Sequence, residues 1–397
     1  MTDADADRTP PLPPLPPQPS GTPWPASGTP WPASGTPWPA SGTPAATQAR
    51  RRPPDGPPSD WPEGGVPSSI AASVDALVEQ AFDPSGSLAP THAVVIVHRG
   101  RIVVERYDGQ LDHLDRPPET IGPATSLLSW SMAKSVLHAA VGILVDEGAL
   151  TLDRPAPVPE WQDRRDPRRH ITLDYLLAMC DGLDFTENYT GAGRSDVVEM
   201  LFGRGRDDVA HFAADRPLAA VPGERFNYSS GTSNVLSGIV ARLVGPGDAY
   251  ERFLAERIFD PIGITTARPG MDASGTWVAS SYLHATARDF ARFGLLYLRG
   301  GVWEGRRVLS ADWVDTARRA RSTDPTDGQV HSMHWWVVPD GAGTFAALGF
   351  EGQSISLCPA ADLCVIRLGK TASDHYPALR RWRADLVATF ASGHPPS

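Results

Sequence analysis

Residues 129–150 read SWSMAKSVLHAAVGILVDEGAL, and this stretch decides the fold. Its apolar spacing predicts a long helix that begins near Ser131 and ends at Gly148. Ser131 and Lys134 form an S-x-x-K pair at the start of that helix, and positions i and i+3 share a face, so the amine can reach the hydroxyl. The helix N-terminus adds amide groups and a positive dipole end beside the serine. A serine hydroxyl needs a neighbouring base before it attacks at neutral pH, and only a neutral amine can take its proton. Desolvated lysine can lose its charge and arginine effectively cannot. The chain has 36 basic residues, and Lys134 and Lys370 are its only lysines. A position that keeps lysine in that background points to chemistry that arginine cannot do.

Working outward, HAVVIVHRGRIVVERY (92–107) predicts two strands around an Arg-Gly turn, preceded by a helical pattern from Ser68. Downstream, DYLLAMCDGL, DDVAHFAADR, NVLSGIVARLV, AYERFLAERIF and ATARDFARFGLLYLRGG are helical patterns, so residues 151–320 predict a mainly helical lobe. Strands return in MHWWVVP, TFAALGF, QSISLCP and DLCVIRLG, and a helix over 377–390 closes the chain. The expectation is an α/β (α+β) body: one antiparallel sheet with strands from both chain ends, flanked by helices, plus the helical lobe. A cleft between lobes is the favoured place for a site.

The first 67 residues carry 20 of the 40 prolines, and SGTPWPA starts at Ser20, Ser27 and Ser34 with a partial fourth copy. Proline twice per repeat forbids a helix, so 1–67 reads as a disordered, solvated tail and 68–397 as the folded domain. The net charge of −10, with no arginine-rich tract beyond Arg50 to Arg52, argues against nucleic acid or a membrane surface as partner. No secretory signal or 18-residue apolar run is present, which places the chain in the cytoplasm. Cys180, Cys358 and Cys364 fit reduced thiols, and no Cys/His cluster has zinc spacing. Oligomeric state is left open.

Two further segments bear on the serine. GERFNYSSGTSNVLSGIV puts Tyr228 and Ser230 on a turn leading into a helix. A tyrosine beside a lysine can be held as phenolate or shuttle a proton. GFEGQSISLCP puts Phe350, Glu351, Gly352 and Gln353 on a glycine-rich edge strand whose backbone can approach a ligand; the amides of Ser131 and Gln353 are candidates for an oxyanion hole. Tyr189, with Asp184 and Glu187, lies in a loop after MCDGL. Trp130, Trp335 and Trp336 are candidate walls of an apolar pocket, and Arg288-Asp289 reads as a structural ion pair.

The order SMAKS, MCDGLDF, PGERFNYSSGTSNVLS, RIFDPIGI, TARDFARFGLLYLRGGVWEGRRVLSADWV, ALGFEGQ and CVIRLGKT resembles the serine β-lactamase-related superfamily across about residues 70–390. The chain looks most like the branch of 6-aminohexanoate-dimer hydrolase and family VIII carboxylesterases, close to class C β-lactamases. The resemblance implies a β-lactamase/transpeptidase-like fold and Ser131 as nucleophile. It makes Lys134 the base, Tyr228 the proton relay, Ser131 and Gln353 the oxyanion amides, and Ser230, Tyr189, Gly352 and Phe350 substrate contacts. It implies an acyl-enzyme route for a small-molecule ester or linear amide, with neither metal nor organic cofactor required. Where penicillin-binding relatives carry a cationic K-T-G, this chain has Phe350-Glu351-Gly352, so weak β-lactamase and peptidoglycan activity is expected. Lys370 in RLGKT is read as an exposed lysine after the last strand. The alternatives are a β-lactamase or D-Ala-D-Ala carboxypeptidase-like enzyme, and a non-catalytic binding protein on this fold.

Overall fold

The computed structural model describes residues 61–112, 117–189 and 195–392. The SGTPWPA repeats lie outside the described residues. In chain order the main elements are helix α1 (Ala71–Phe82), strands β1 (Thr91–His98) and β2 (Arg101–Tyr107), helices α2 (Ala133–Asp146), α3 (Ser230–Val244) and α4 (Ala287–Leu298). Strands β3 (Ser322–Thr323), β4 (Val330–His331), β5 (Trp336–Val337), β6 (Phe345–Leu348), β7 (Ser354–Cys358) and β8 (Leu363–Gly369) follow, then helix α5 (Tyr376–Ser392).

The expected hairpin forms because Arg99 and Gly100 both take positive φ (52° and 74°), the turn whose twist matches its flanking strands. Strand β1 then pairs antiparallel with β8, Val95 opposite Ile366, which joins the two chain ends. The full sheet has eight strands in the order β3-β4-β5-β6-β7-β8-β1-β2, every pair antiparallel. Both faces are covered. Val94 and Ile96 pack with α1 and α5 in one core, whereas Ala93, Val95 and Val97 enter the other core with α2, α4 and the helical lobe. Alternation of period two therefore serves two cores, and each fully buried Val or Ile contributes about 1.5–3 kcal/mol.

Helix α2 is buried at every position from Ala133 to Leu144, as its near-continuous apolar character requires. It lies between sheet and helical lobe, so its N-terminal end opens where the lobes meet. The folded body begins earlier than residue 68: Trp61 is buried, and the Arg292 guanidinium sits 4.6 Å from its ring centroid. A tryptophan among prolines masked that boundary in the composition. Among the described residues no helix is long and apolar enough to cross a membrane.

Candidate active site

The turn that carries Ser131 is fixed by a small three-stranded sheet that no sequence pattern announced. Leu127–Leu128 pairs with Leu283–Ala285, which also pairs with Arg268–Pro269, and the Ser129 N–H donates to the Leu283 carbonyl at 2.8 Å. Trp130 follows with φ 47°, a left-handed conformation that a bulky residue adopts only when its surroundings hold it. Its indole N–H donates to Glu351 at 3.1 Å and its ring meets Phe350 edge-on at 5.4 Å. Ser131 comes next, half-buried, in a 3₁₀ turn over Trp130–Met132 ahead of α2. The turn after β6 presses against it. A Cβ on Gly349 would lie 2.4 Å from the Ser129 carbonyl and 3.2 Å from the Ser131 amide nitrogen, so only glycine fits.

Lys134, one helical turn on, is buried, and its Nζ lies 2.8 Å from Ser131 Oγ, 3.0 Å from Ser230 Oγ and 2.9 Å from the Ser280 carbonyl. The protons of this cage can be assigned. A carbonyl only accepts, so Ser280 takes an N–H from Lys134. Ser230 gives its single hydroxyl proton to Glu187 Oε1 at 2.6 Å, while its backbone N–H reaches Oε2 at 2.8 Å. Ser230 Oγ must therefore accept from Lys134 as well. A neutral amine has two N–H bonds and one lone pair, and with both N–H bonds occupied the lone pair faces Ser131. Burial pulls Lys134 down to about pKa 8, with the Glu187 carboxylate opposing the fall. Tyr189 donates to the same carboxylate at 3.1 Å.

Tyr228 lines the same cavity as Ser131. Its ring centroid is 5.1 Å from Lys134 Nζ and 5.3 Å from the Trp336 ring. Burial raises its pKa, further helped by the Glu187 charge and only partly offset by Ser131. The phenolate expected as one option is thus disfavoured, and a neutral phenol with a proton to give remains. Behind it His331 stands edge-on at 6.2 Å, and desolvation holds that imidazole neutral.

Ser131, Tyr228, Tyr189, Phe350, Gly352 and Gln353 all line one cavity of about 210 Å³. A wider cleft of about 570 Å³ shares Glu187, Tyr228, Gln329 and Trp336 with it. Phe350–Gly352 is a 3₁₀ turn joining the interior strands β6 and β7, and not part of an edge strand. The Gln353 side chain is fastened away from the cavity, its amide donating to the Gly369 carbonyl at 2.6 Å and accepting from the Gly369 N–H at 3.0 Å. This leaves its main chain at the cavity wall.

A family model described as Beta-lactamase matches residues 74–390. The chain belongs to the beta-lactamase family. It is 25% identical over 338 residues to the 6-aminohexanoate-dimer hydrolase of Paenarthrobacter ureafaciens, covering 80% of this chain and 82% of that one. The solved structure of a penicillin-binding protein homologue from Caulobacter crescentus superposes with TM-score 0.64 at 20% identity, covering 82% of this chain and 99% of that one. A family VIII carboxylesterase superposes with TM-score 0.60 at 16% identity, covering 81% and 98%. The expected β-lactamase/transpeptidase-like fold and serine-hydrolase family are thereby established.

Within this beta-lactamase-family frame several expectations change. Ser230 is fully buried and touches Lys134 and Glu187, not the cavity. Trp336 lines the cavity, but Trp335 is fully buried among Phe293, Tyr297 and Phe345. Glu351, next to the position where relatives carry the K-T-G cation, is turned onto the Trp130 indole and is absent from the cavity wall. Arg288 and Asp289 do not pair with each other: Arg288 binds Glu105 at 2.6 Å, while Asp289 accepts from the Thr265 and Thr266 amides. Lys370 is exposed directly after β8. Ser280, Arg367, Arg380 and Arg383 were not singled out from the sequence, since none stands in a motif. Among the described residues no group of three or more His, Cys, Asp or Glu is placed to hold a metal ion.

Proposed function

We propose that the chain hydrolyses small linear amides or esters through a Ser131 acyl-enzyme. The observation that carries this reading is the Lys134 cage, in which Ser131 Oγ at 2.8 Å is the one neighbour able to give the amine a proton. Neutral Lys134 takes the Ser131 proton as Oγ attacks the carbonyl carbon, and the amides of Ser131 and Gln353 receive the oxyanion. Tyr228 passes its proton to the departing nitrogen or oxygen and regains one from the Lys134 ammonium. The C–N or C–O bond breaks and the acyl group stays on Oγ. Water then attacks with Lys134 and Tyr228 again moving the proton, and the acid leaves. The likeness to 6-aminohexanoate-dimer hydrolase favours linear amides of amino acids as the first substrates to try.

The test is hydrolysis of 4-nitrophenyl butyrate and of the 6-aminohexanoate dimer by the wild type and Ser131→Ala, with fluorophosphonate labelling. Turnover lost in the variant and labelling confined to Ser131 support the reading. Wild-type turnover in Ser131→Ala overturns it.

A further inference from the structure

Trp130 and Glu351 belong to the two segments that meet at Ser131, and each is a non-glycine residue held at positive φ, 47° and 60°. Left-handed backbone strains residues of this kind, so both conformations persist only because neighbours hold them. One bond joins them: the Trp130 indole N–H donates to Glu351 Oε2 at 3.1 Å, while the Trp130 ring lies edge-on to Phe350 at 5.4 Å. Trp130 directly precedes Ser131, and Glu351 stands two residues before Gln353. The bond therefore links the segment carrying one candidate oxyanion amide to the segment carrying the other.

Each segment is anchored separately. Glu351 gives its N–H to the Tyr376 hydroxyl at 2.8 Å, and its carbonyl accepts from the Thr371 N–H at 3.0 Å and from Arg367 at 3.1 Å, which fastens the turn to α5, to β8 and to the chain just beyond it. The Trp130 segment hangs instead on Leu283, through the Ser129 N–H. Where the two segments touch, a Cβ on Gly349 would sit 2.4 Å from the Ser129 carbonyl. That contact stops them from approaching further but does nothing to stop them from parting. Among the described residues no other hydrogen bond joins 129–132 to 349–353, so the indole–carboxylate bond is the one that resists separation. An ionised acceptor makes such a bond stronger than a neutral one would.

We infer that Glu351 is a positioning residue: acting through the Trp130 indole, its carboxylate sets the spacing of the Ser131 and Gln353 amides, and so their fit to the oxyanion of the transition state. The inference rests on the Ser131 reading. Two donors stabilise the developing charge only where both reach it, and they act most strongly when their places are fixed in advance. The substrate carbonyl carries less charge before attack and gains less from that spacing. Loss of the clasp should therefore lower kcat and leave KM nearly unchanged.

Three variants test this: Trp130→Phe keeps a ring and loses the N–H, Glu351→Leu loses the acceptor, and Glu351→Gln keeps one. On 4-nitrophenyl butyrate the first two should each lower kcat at least about tenfold with KM within about twofold of wild type. Combining Trp130→Phe with Glu351→Leu should be no slower than the worse single variant, because both break the same bond. Glu351→Gln should recover most of the rate. Phenylboronic acid, whose serine adduct is tetrahedral like the transition state, should inhibit less well in step with kcat, whereas butyrate should inhibit as before. A general loosening of the site would instead weaken both inhibitors alike, and circular dichroism confirms that each variant folds. Fluorophosphonate labelling of the wild type separates the two claims. Labelling at Ser131, with Trp130→Phe and Glu351→Leu folded and turning over at the wild-type rate, would overturn the positioning role and leave the Ser131 chemistry standing. A rise in KM with kcat unchanged would overturn it too. No labelling of wild-type Ser131 would overturn that chemistry and the inference with it.

Discussion

The two ends of the cavity are built on opposite rules. At the Lys134 end each polar atom has a partner and each proton a place: Ser280, Ser230 and Glu187 fix the amine so that its lone pair can face only Ser131. At the Arg383 end a cation stands against other cations with no partner among the described residues. The contrast is one of hydrogen-bond satisfaction. A saturated network is preorganised for a step repeated identically in every turnover.

The largest break comes at the matched end. Lys134→Arg keeps a cation but removes the base, and kcat/KM should fall at least about a hundredfold, read on 4-nitrophenyl butyrate. Tyr228→Phe should come next, lowering amide hydrolysis by about ten- to a hundredfold and activated-ester hydrolysis far less, because nitrophenolate leaves without a proton. Comparing the two substrates in one variant checks that. Glu187→Gln is subtler. The Glu187 charge raises the Lys134 pKa, so its removal should move the acid limb of the kcat/KM profile below its wild-type position near pH 8. Smallest of all, a chain starting at Trp61 should keep full turnover at both ends of the cavity. Cutting on to residue 68 removes a buried tryptophan and should cost about 3 kcal/mol, seen as a lower Tm.

How much of this could be read in advance follows from distance along the chain. Ser131 and Lys134 sit one turn apart, and lysine scarcity drew attention to the second, so their contact at 2.8 Å was legible. The hairpin of β1 and β2 is equally local. What escaped was long-range closure. Ser280 meets Lys134 across 146 positions through a backbone oxygen, which no side-chain motif can encode. Trp335 and Trp336 looked alike until the register sent one into the core and its neighbour to the cavity. Arg288 and Asp289 looked like a pair, but successive helix positions point about 100° apart and find different partners. Arg383 lies in the last helix of the described chain, and only the folded sheet brings it to the serine.

The central claim is that Lys134 is the base for Ser131 and is switched on by losing its proton. The rate of fluorophosphonate labelling of Ser131 between pH 6 and 10, in the wild type and in Lys134→Arg, tests it most directly. The account expects the wild-type rate to rise with pH through an inflection near 8 and then level, because below that value Lys134 is protonated and has no lone pair to offer. Lys134→Arg should label slowly and without that inflection. A wild-type rate flat across the range, or an inflection unchanged in Lys134→Arg, would contradict it.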